Sequence, residues 1–286
     1  MDARSREVGI QAGASLGPSD TVNKADVGVP TPPIKYASHD LKILFLDIET
    51  APNLAYVWGI FDQNISHDQL EESSYILCWS AKWYGKPKIH FASAEKKSAK
   101  EVLTPIHALL DEADIVIHFN GKKFDVPVLN REFIKHGLTP PSPYRQIDLY
   151  QVVRRTFRFE SNKLAYITQA LGLQGKMHHE GFKLWVGCMK GDRTCWQKMG
   201  EYNRNDVVIM EPLYERLRPW MQRHPAIQSD CMACPKCGSK KVQKRGVAVA
   251  ISQTYVRYQC QLCAGWFRSN KVLVRDTGER GVNIAV

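Results

Sequence analysis

The 286 residues contain no apolar run near the ~18 needed to cross a bilayer; stretches such as residues 43–46 and 115–117 fall far short. That pattern excludes a membrane-spanning helix. After Met1-Asp2-Ala3-Arg4 the chain turns polar and Gly-containing, without the apolar stretch of a secretory signal. A cytoplasmic, reducing location is therefore expected. Neither an internal repeat nor a sustained heptad is present, which argues against solenoids and coiled coils. Acidic residues are scarce at the C-terminal end, where residues 228–286 hold 3 Asp or Glu against 10 Lys or Arg. That balance of +7 is most of the chain's +10, and it points to a partner that carries phosphates.

What is present fits a globular protein, with 44% hydrophobic and 24% charged residues. Residues 1–38 are small, polar and Pro-containing, and they read as a flexible leader. Residues 41–49 form a nearly continuous β-favouring run, the pattern of a strand covered on both faces. Further strands are expected at 75–84, 88–92 and 114–119, and helices at 96–112, 126–136, 162–171 and 195–217. This order predicts an α/β fold, a mixed central sheet flanked by helices, over residues 39–227. The break around Pro219 and Pro225 separates it from residues 228–286, where short strands are expected at 247–251, 255–258 and 266–268.

Carboxylates stand out against this framework. Asp47 and Glu49 are two apart on the first strand, so they leave one face about 7 Å apart. Acids at the end of a buried strand are costly unless solvated, paired or bound to metal. Asp125 follows the 114–119 strand in the passage Asn120-Gly121-Lys122-Lys123-Phe124-Asp125, where Gly121 permits a tight turn. Tyr202 and Asp206 are four apart and share a helical face.

Taken in order, Asp-x-Glu, Asn-x3-Phe-Asp and Tyr-x3-Asp resemble the three motifs of DnaQ-like 3′ to 5′ exonucleases. The resemblance is specifically to their subgroup with a tyrosine in the third motif, the tyrosine subgroup of the DEDD family, and it implies an RNase H-like fold. The resemblance spans about residues 40–218 and includes a Leu-rich helix ending in Leu-Gly at 164–173. It implies that Asp47, Glu49, Asp125 and Asp206 are metal ligands and that Tyr202 positions the attacking water. The histidine of the sister subgroup would stand at Glu201. Phosphodiester hydrolysis concentrates negative charge in its transition state, and two divalent ions roughly 3.5–4 Å apart stabilise the attacking and leaving oxygens. Mg²⁺ suits an all-oxygen site, and Mn²⁺ can replace it. A phenol with an ordinary pKa of about 10 orients water rather than deprotonating it.

Other candidates are open to two readings. Asn120 either contacts substrate near Asp125 or caps its turn. Tyr56 and Trp58, after the first motif, either stack on the terminal nucleotide or join a core aromatic cluster. Arg154, Arg155, Arg158 and Lys163 surround Phe157 and Phe159, as a phosphate track or as a solvated helix face. Asp148 is expected to support the metal cluster without ligating it. His118 reads as a core or hydrogen-bonded strand residue, and His178 and His179 as loop residues.

Cys234-Pro-Lys-Cys237-Gly and Cys260-Gln-Leu-Cys263-Ala-Gly carry the spacing of a tetrahedral Zn²⁺ site, and the region resembles a zinc ribbon. Cys231 offers an alternative first pair, with the Cys-Pro-x-Cys-Gly form favouring Cys234 and Cys237. Four thiolates leave no open position, so this zinc is structural. The ribbon's Lys240, Lys241, Lys244, Arg245, Arg257 and Arg268 accompany Tyr255, Tyr258, Trp266 and Phe267. Together they point to a nucleic-acid surface, against the alternative of a protein-docking ribbon. DNA is expected ahead of RNA as substrate; an exoribonuclease and a non-catalytic nucleic-acid adaptor are the competing readings. No polymerase motif is evident, so proofreading would need a replication or repair partner, whose identity is unknown.

Overall fold

The computed structural model describes residues 41–273, apart from 176, 178, 179, 228, 229, 231 and 252. The leader, His178, His179 and Cys231 thus lie outside the described residues. The first strand, β1 (Ile43–Thr50), is followed by a short ladder of β2 (Leu54–Ala55) and β3 (Leu70–Glu72), then by β4 (Ile76–Trp83) and β5 (Ile89–Ser93). Helix α1 (Ala99–Glu112), β6 (Ile115–His118), α2 (Asp125–Lys135) and β7 (Arg145–Asp148) come next. The helices α3 (Leu149–Thr156), α4 (Leu164–Ala170), α5 (Phe182–Met189) and α6 (Arg193–Leu217) complete this part. Strands β8 (Val242–Val249), β9 (Thr254–Cys260) and β10 (Trp266–Val272) form a separate antiparallel sheet.

The main sheet has the order β5-β4-β1-β6-β7. Strand β1 pairs antiparallel with β4 and parallel with β6, and β6 is parallel to β7, so the sheet is mixed as expected. The unbroken apolar run of β1 has a direct cause: the strand is central in its sheet and covered on both faces. Leu44, Leu46 and Ile48 pack with Val102 and Ile106 of α1 and Leu129 and Phe133 of α2. Ile43 and Phe45 face the other way, into Val207, Met210, Leu213 and Tyr214 of α6. Each fully buried side chain of this kind contributes roughly 1.5–3 kcal/mol.

Local signals set the element ends. Ser98 and Glu101 cap α1 reciprocally, Glu101 N donating to Ser98 Oγ at 3.4 Å and Ser98 N to Glu101 Oε2 at 2.9 Å. Trp79 Nε1 donates to Val102 O at 2.7 Å and ties α1 to the sheet. The short elements β2, β3, β7, α3 and α5 are absent from the strands and helices expected above, and one expected strand starts earlier. Helix α5 has only eight residues, two of them buried, and is too short for a clear periodicity. The first strand of the small sheet begins at Val242 rather than 247, because residues 243–247 are exposed and polar or small. Among the described residues, no helix is long and apolar enough to cross a membrane.

Candidate active site

Period-two alternation on β1 places Asp47 and Glu49 on the face of Ile43 and Phe45, toward α6. Helix α6 lies across that face and delivers Asp206, so oxygens of Asp47, Glu49 and Asp206 lie within 4.8 Å of one another. Asp206 is buried, while the other two are half-buried. Two unit negative charges at that separation repel by roughly 3.5 kcal/mol at an effective dielectric of about 20. A divalent cation removes this cost, and an all-carboxylate set suits Mg²⁺ or Mn²⁺.

Asn203 completes this grouping. It is fully buried, three residues before Asp206, and its Nδ2 donates to Asp47 Oδ2 at 2.7 Å and to Asp47 O at 3.3 Å. Tyr202 precedes it on α6, packed with Ala51, Leu77, Trp196 and Met199. Its ring meets that of Trp185 edge-on, centroids 6.1 Å apart. The sequence reading passed over Asn203; the one available signal was its i, i+3 relation to Asp206, which puts both on one helical face.

The structure does not bring Asp125 into the three-acid group. Its Oδ1 accepts the Ile48 N–H at 3.0 Å, between Asp47 and Glu49 along β1. The parallel ladder explains this position: β1 and β6 are paired only as far as Phe45 and Ile117, and beyond that fork a β1 amide needs another acceptor. Burial pushes the Asp125 carboxyl up to about 7, against the opposing effect of the Ile48 N–H. Gly121 permits the close approach, since a Cβ there would lie 2.5 Å from His118 Cγ and 2.9 Å from Asp125 Oδ2.

Asp148 supports the same turn from β7. Its Oδ1 accepts from Asn120 N at 2.9 Å and from Gln151 N at 3.3 Å, capping α3, and its Oδ2 accepts from Lys122 N at 3.4 Å. Asn120 itself takes a left-handed φ of 69°, a conformation its short amide side chain tolerates. His118 is wholly buried, with Nε2 3.1 Å from Gln146 Oε1 and Nδ1 3.9 Å from Asp148 Oδ2.

The flanking candidates divide. Tyr56 and Trp58 are exposed, Trp58 at 98%, so neither belongs to a core cluster. Phe157 and Phe159 are half-buried against the core, and Trp220 packs edge-on to Phe157 at 5.5 Å. Arg154, Arg155, Arg158 and Lys163 are exposed.

A second donor group is separate in sequence and chemistry. The sulfurs of Cys234, Cys237, Cys260 and Cys263 lie within 4.8 Å of one another, with no disulfide among them. Cys234 and Cys263 are 3.9 Å apart and Cys237 and Cys260 3.6 Å. A tetrahedron with metal–sulfur bonds of about 2.3 Å has edges of about 3.8 Å, so the four thiols fit Zn²⁺. Both knuckles turn through left-handed residues, Gly238 at φ 75° and Ala264 at φ 58°.

Residues 44–218 match a family model described as the RNase H superfamily. No curated protein matches the chain. Among solved structures, it is similar to the family B DNA polymerase from the hyperthermophilic archaeon Pyrobaculum calidifontis, with 14% identity and a TM-score of 0.50. The match covers 79% of this chain and 34% of the polymerase chain, so this chain spans about a third of its relative's length. At that identity the likeness is one of fold.

Proposed function

The chain belongs to the RNase H superfamily, and from that premise we propose that it is a metal-dependent 3′ to 5′ exonuclease of the DnaQ-like, tyrosine-type DEDD group. Membership supports nuclease-type chemistry in general. The finer reading is carried by one observation: acids from β1 and from α6, over 150 residues apart in sequence, bring oxygens within 4.8 Å of one another.

In this reading Asp47, Glu49, Asp125 and Asp206 hold two Mg²⁺ or Mn²⁺ ions, which supply positive charge to the attacking and leaving oxygens of the phosphodiester. Asn203 fixes one oxygen of Asp47 and so sets the carboxylate's orientation. Tyr202 aligns the attacking water through its phenol. Asp125 joins the site from its seat on the β1 backbone, held by the turn that Asp148 organises. Tyr56 and Trp58, exposed just beyond the first acids, present rings to the terminal nucleotide, with Asn120 as an auxiliary contact. Residues 39–227 make up the nuclease unit and residues 228–286 a ribbon on one structural Zn²⁺. DNA is the substrate assigned first, and proofreading would require a polymerase supplied by a partner.

End-labelled DNA and RNA incubated with Mg²⁺ or with EDTA test this reading. Stepwise nucleotide release from the 3′ end is expected with Mg²⁺ only, faster on DNA. Asp47→Ala and Asp206→Ala should each abolish release while leaving the thermal melt nearly unchanged. Wild-type turnover by either variant would remove these acids from the mechanism.

A further inference from the structure

Strand pairing divides the ribbon's side chains between two faces, because directly opposed residues of an antiparallel ladder share a face. Lys244, Tyr258 and Phe267 are opposed in one row, on the face of Val242 and Cys260. That face covers the four cysteines, against which Val242 and Phe267 pack. The other face carries Tyr255, Arg257, Trp266 and Arg268 and has no such role. Arg257, Trp266 and Arg268 are exposed there and Tyr255 is half-buried.

The cations on this outward face are held in place. The Arg268 guanidinium lies 3.6 Å from the Tyr255 ring centroid and that of Arg257 lies 5.2 Å from Trp266. Arg257 Nε also donates to Arg245 O at 2.9 Å. Planar guanidinium groups fixed in this way have given up side-chain freedom before any ligand arrives, which lowers the cost of binding phosphate. Residues 232–273 contain 8 Lys or Arg and no Asp or Glu, so the ribbon matches a polyanion.

The ribbon is rooted far from the acids. Lys236 Nζ donates to Pro219 O at 2.6 Å, and a Cβ on Gly265 would lie 3.5 Å from Pro219 Cα. Pro219 follows the end of α6, and the twelve residue steps from Asp206 to Arg218 span about 18 Å at 1.5 Å per residue. At roughly 3.4 Å per stacked nucleotide that length corresponds to about five nucleotides.

We propose that the outward face of the ribbon, built on Tyr255, Arg257, Trp266 and Arg268, binds the single-stranded nucleic acid whose 3′ end lies at the acids, gripping it about five or more nucleotides upstream. The proposal rests on the nuclease reading for the identity of the strand. Its binding term is independent of catalysis. Fixed guanidinium groups meet phosphates, and exposed ring edges and guanidinium planes meet unpaired bases.

Fluorescence anisotropy without chelator and without added Mg²⁺ or Mn²⁺, so that the ribbon keeps its zinc, with labelled oligodeoxythymidylates of 4 and 16 nucleotides, tests it without turnover. The wild type should bind the 16-mer more tightly than the 4-mer. Arg257→Gln/Arg268→Gln, checked for one bound zinc per chain, should weaken the 16-mer about tenfold and lower its salt slope by about 1.4, near 0.7 per lost contact. Affinity for the 4-mer should be unchanged. If that variant loses zinc, Arg257→Lys/Arg268→Lys takes its place, with the salt slope retained and 16-mer affinity reduced through the lost stacking. Unaltered 16-mer binding by a zinc-loaded variant, or equal weakening of both lengths, overturns the proposal. So does failure of the wild type to bind either oligonucleotide, which would leave the ribbon as a protein-docking unit. Length-dependent binding without Mg²⁺-dependent cleavage would instead remove the nuclease reading and leave the binding face standing.

Discussion

Asp47 is oriented from another element: the fully buried Asn203 on α6 donates to the Oδ2 of the half-buried Asp47 at 2.7 Å. A carboxylate locked by such a donor presents its remaining lone pairs in a fixed direction, and partners of this kind are worth roughly 10–100-fold in metal affinity or activity. Asn203→Ala should therefore weaken Mn²⁺ binding by about that factor, read by calorimetric titration, and lower kcat with little change in substrate KM. Wild-type Mn²⁺ affinity in the variant would assign Asn203 to packing alone. At this scale the Tyr-x3-Asp motif was legible because one helical turn relates its two members. Asn203 was not, since an i, i+3 relation to Asp206 does not by itself mark a role, and that role depends on β1 passing beneath α6.

The elements matter most at the fork where β6 leaves β1. Strand β1 continues past Phe45 while the chain after His118 turns through Asn120 and Gly121, and Asp125 closes the gap on the Ile48 amide. Asp148 holds that turn from β7 while capping α3, with acceptor contacts to Asn120 N, Lys122 N and Gln151 N. Removing a helix cap alone costs about 0.5–2 kcal/mol. Asp148→Ala should lose at least that in urea denaturation, and nucleotide release should fall further as Asp125 shifts; an unchanged midpoint would show that the turn holds without it. The strand and helix preceding Asp125 could be read from their patterns. Asp148 was expected as a supporting residue, but its partners could not be read, because they require β7 to lie parallel beside β6, with His118 opposite Asp148.

Across the whole molecule, the junction between α6 and the cysteine sheet carries a pH-sensitive contact. His224 lies between Tyr214, whose hydroxyl is 2.7 Å from its Nε2, and Pro225 O, 2.6 Å from its Nδ1. Burial, opposed by the Pro225 O contact and aided by the nearby Arg218 and Lys236, lowers its pKa to about 4. The unfolded chain takes up the proton near pH 6.5 and the folded one only near 4, so this contribution is complete above about 6.5 and declines as pH falls toward 4. His224→Gln should flatten the fall in unfolding free energy between pH 7 and 4.5, measured by chemical denaturation. Parallel curves for variant and wild type would assign the acid sensitivity to other groups.

Several properties follow from the chain's own order. Period-two alternation puts Asp47 and Glu49 on one face of a buried strand, helical spacing puts Tyr202 and Asp206 on one helical face, and each Cys-x2-Cys turn presents two thiols to one side, because each depends on local geometry alone. Tertiary packing decided the rest. It brought Asp206 to Asp47 and Glu49, seated Asp125 on the β1 backbone, recruited Asn203, and turned one face of the cysteine sheet outward. Those outcomes depend on which elements lie against one another, and contacts across 70 or more residues have no signature in local periodicity.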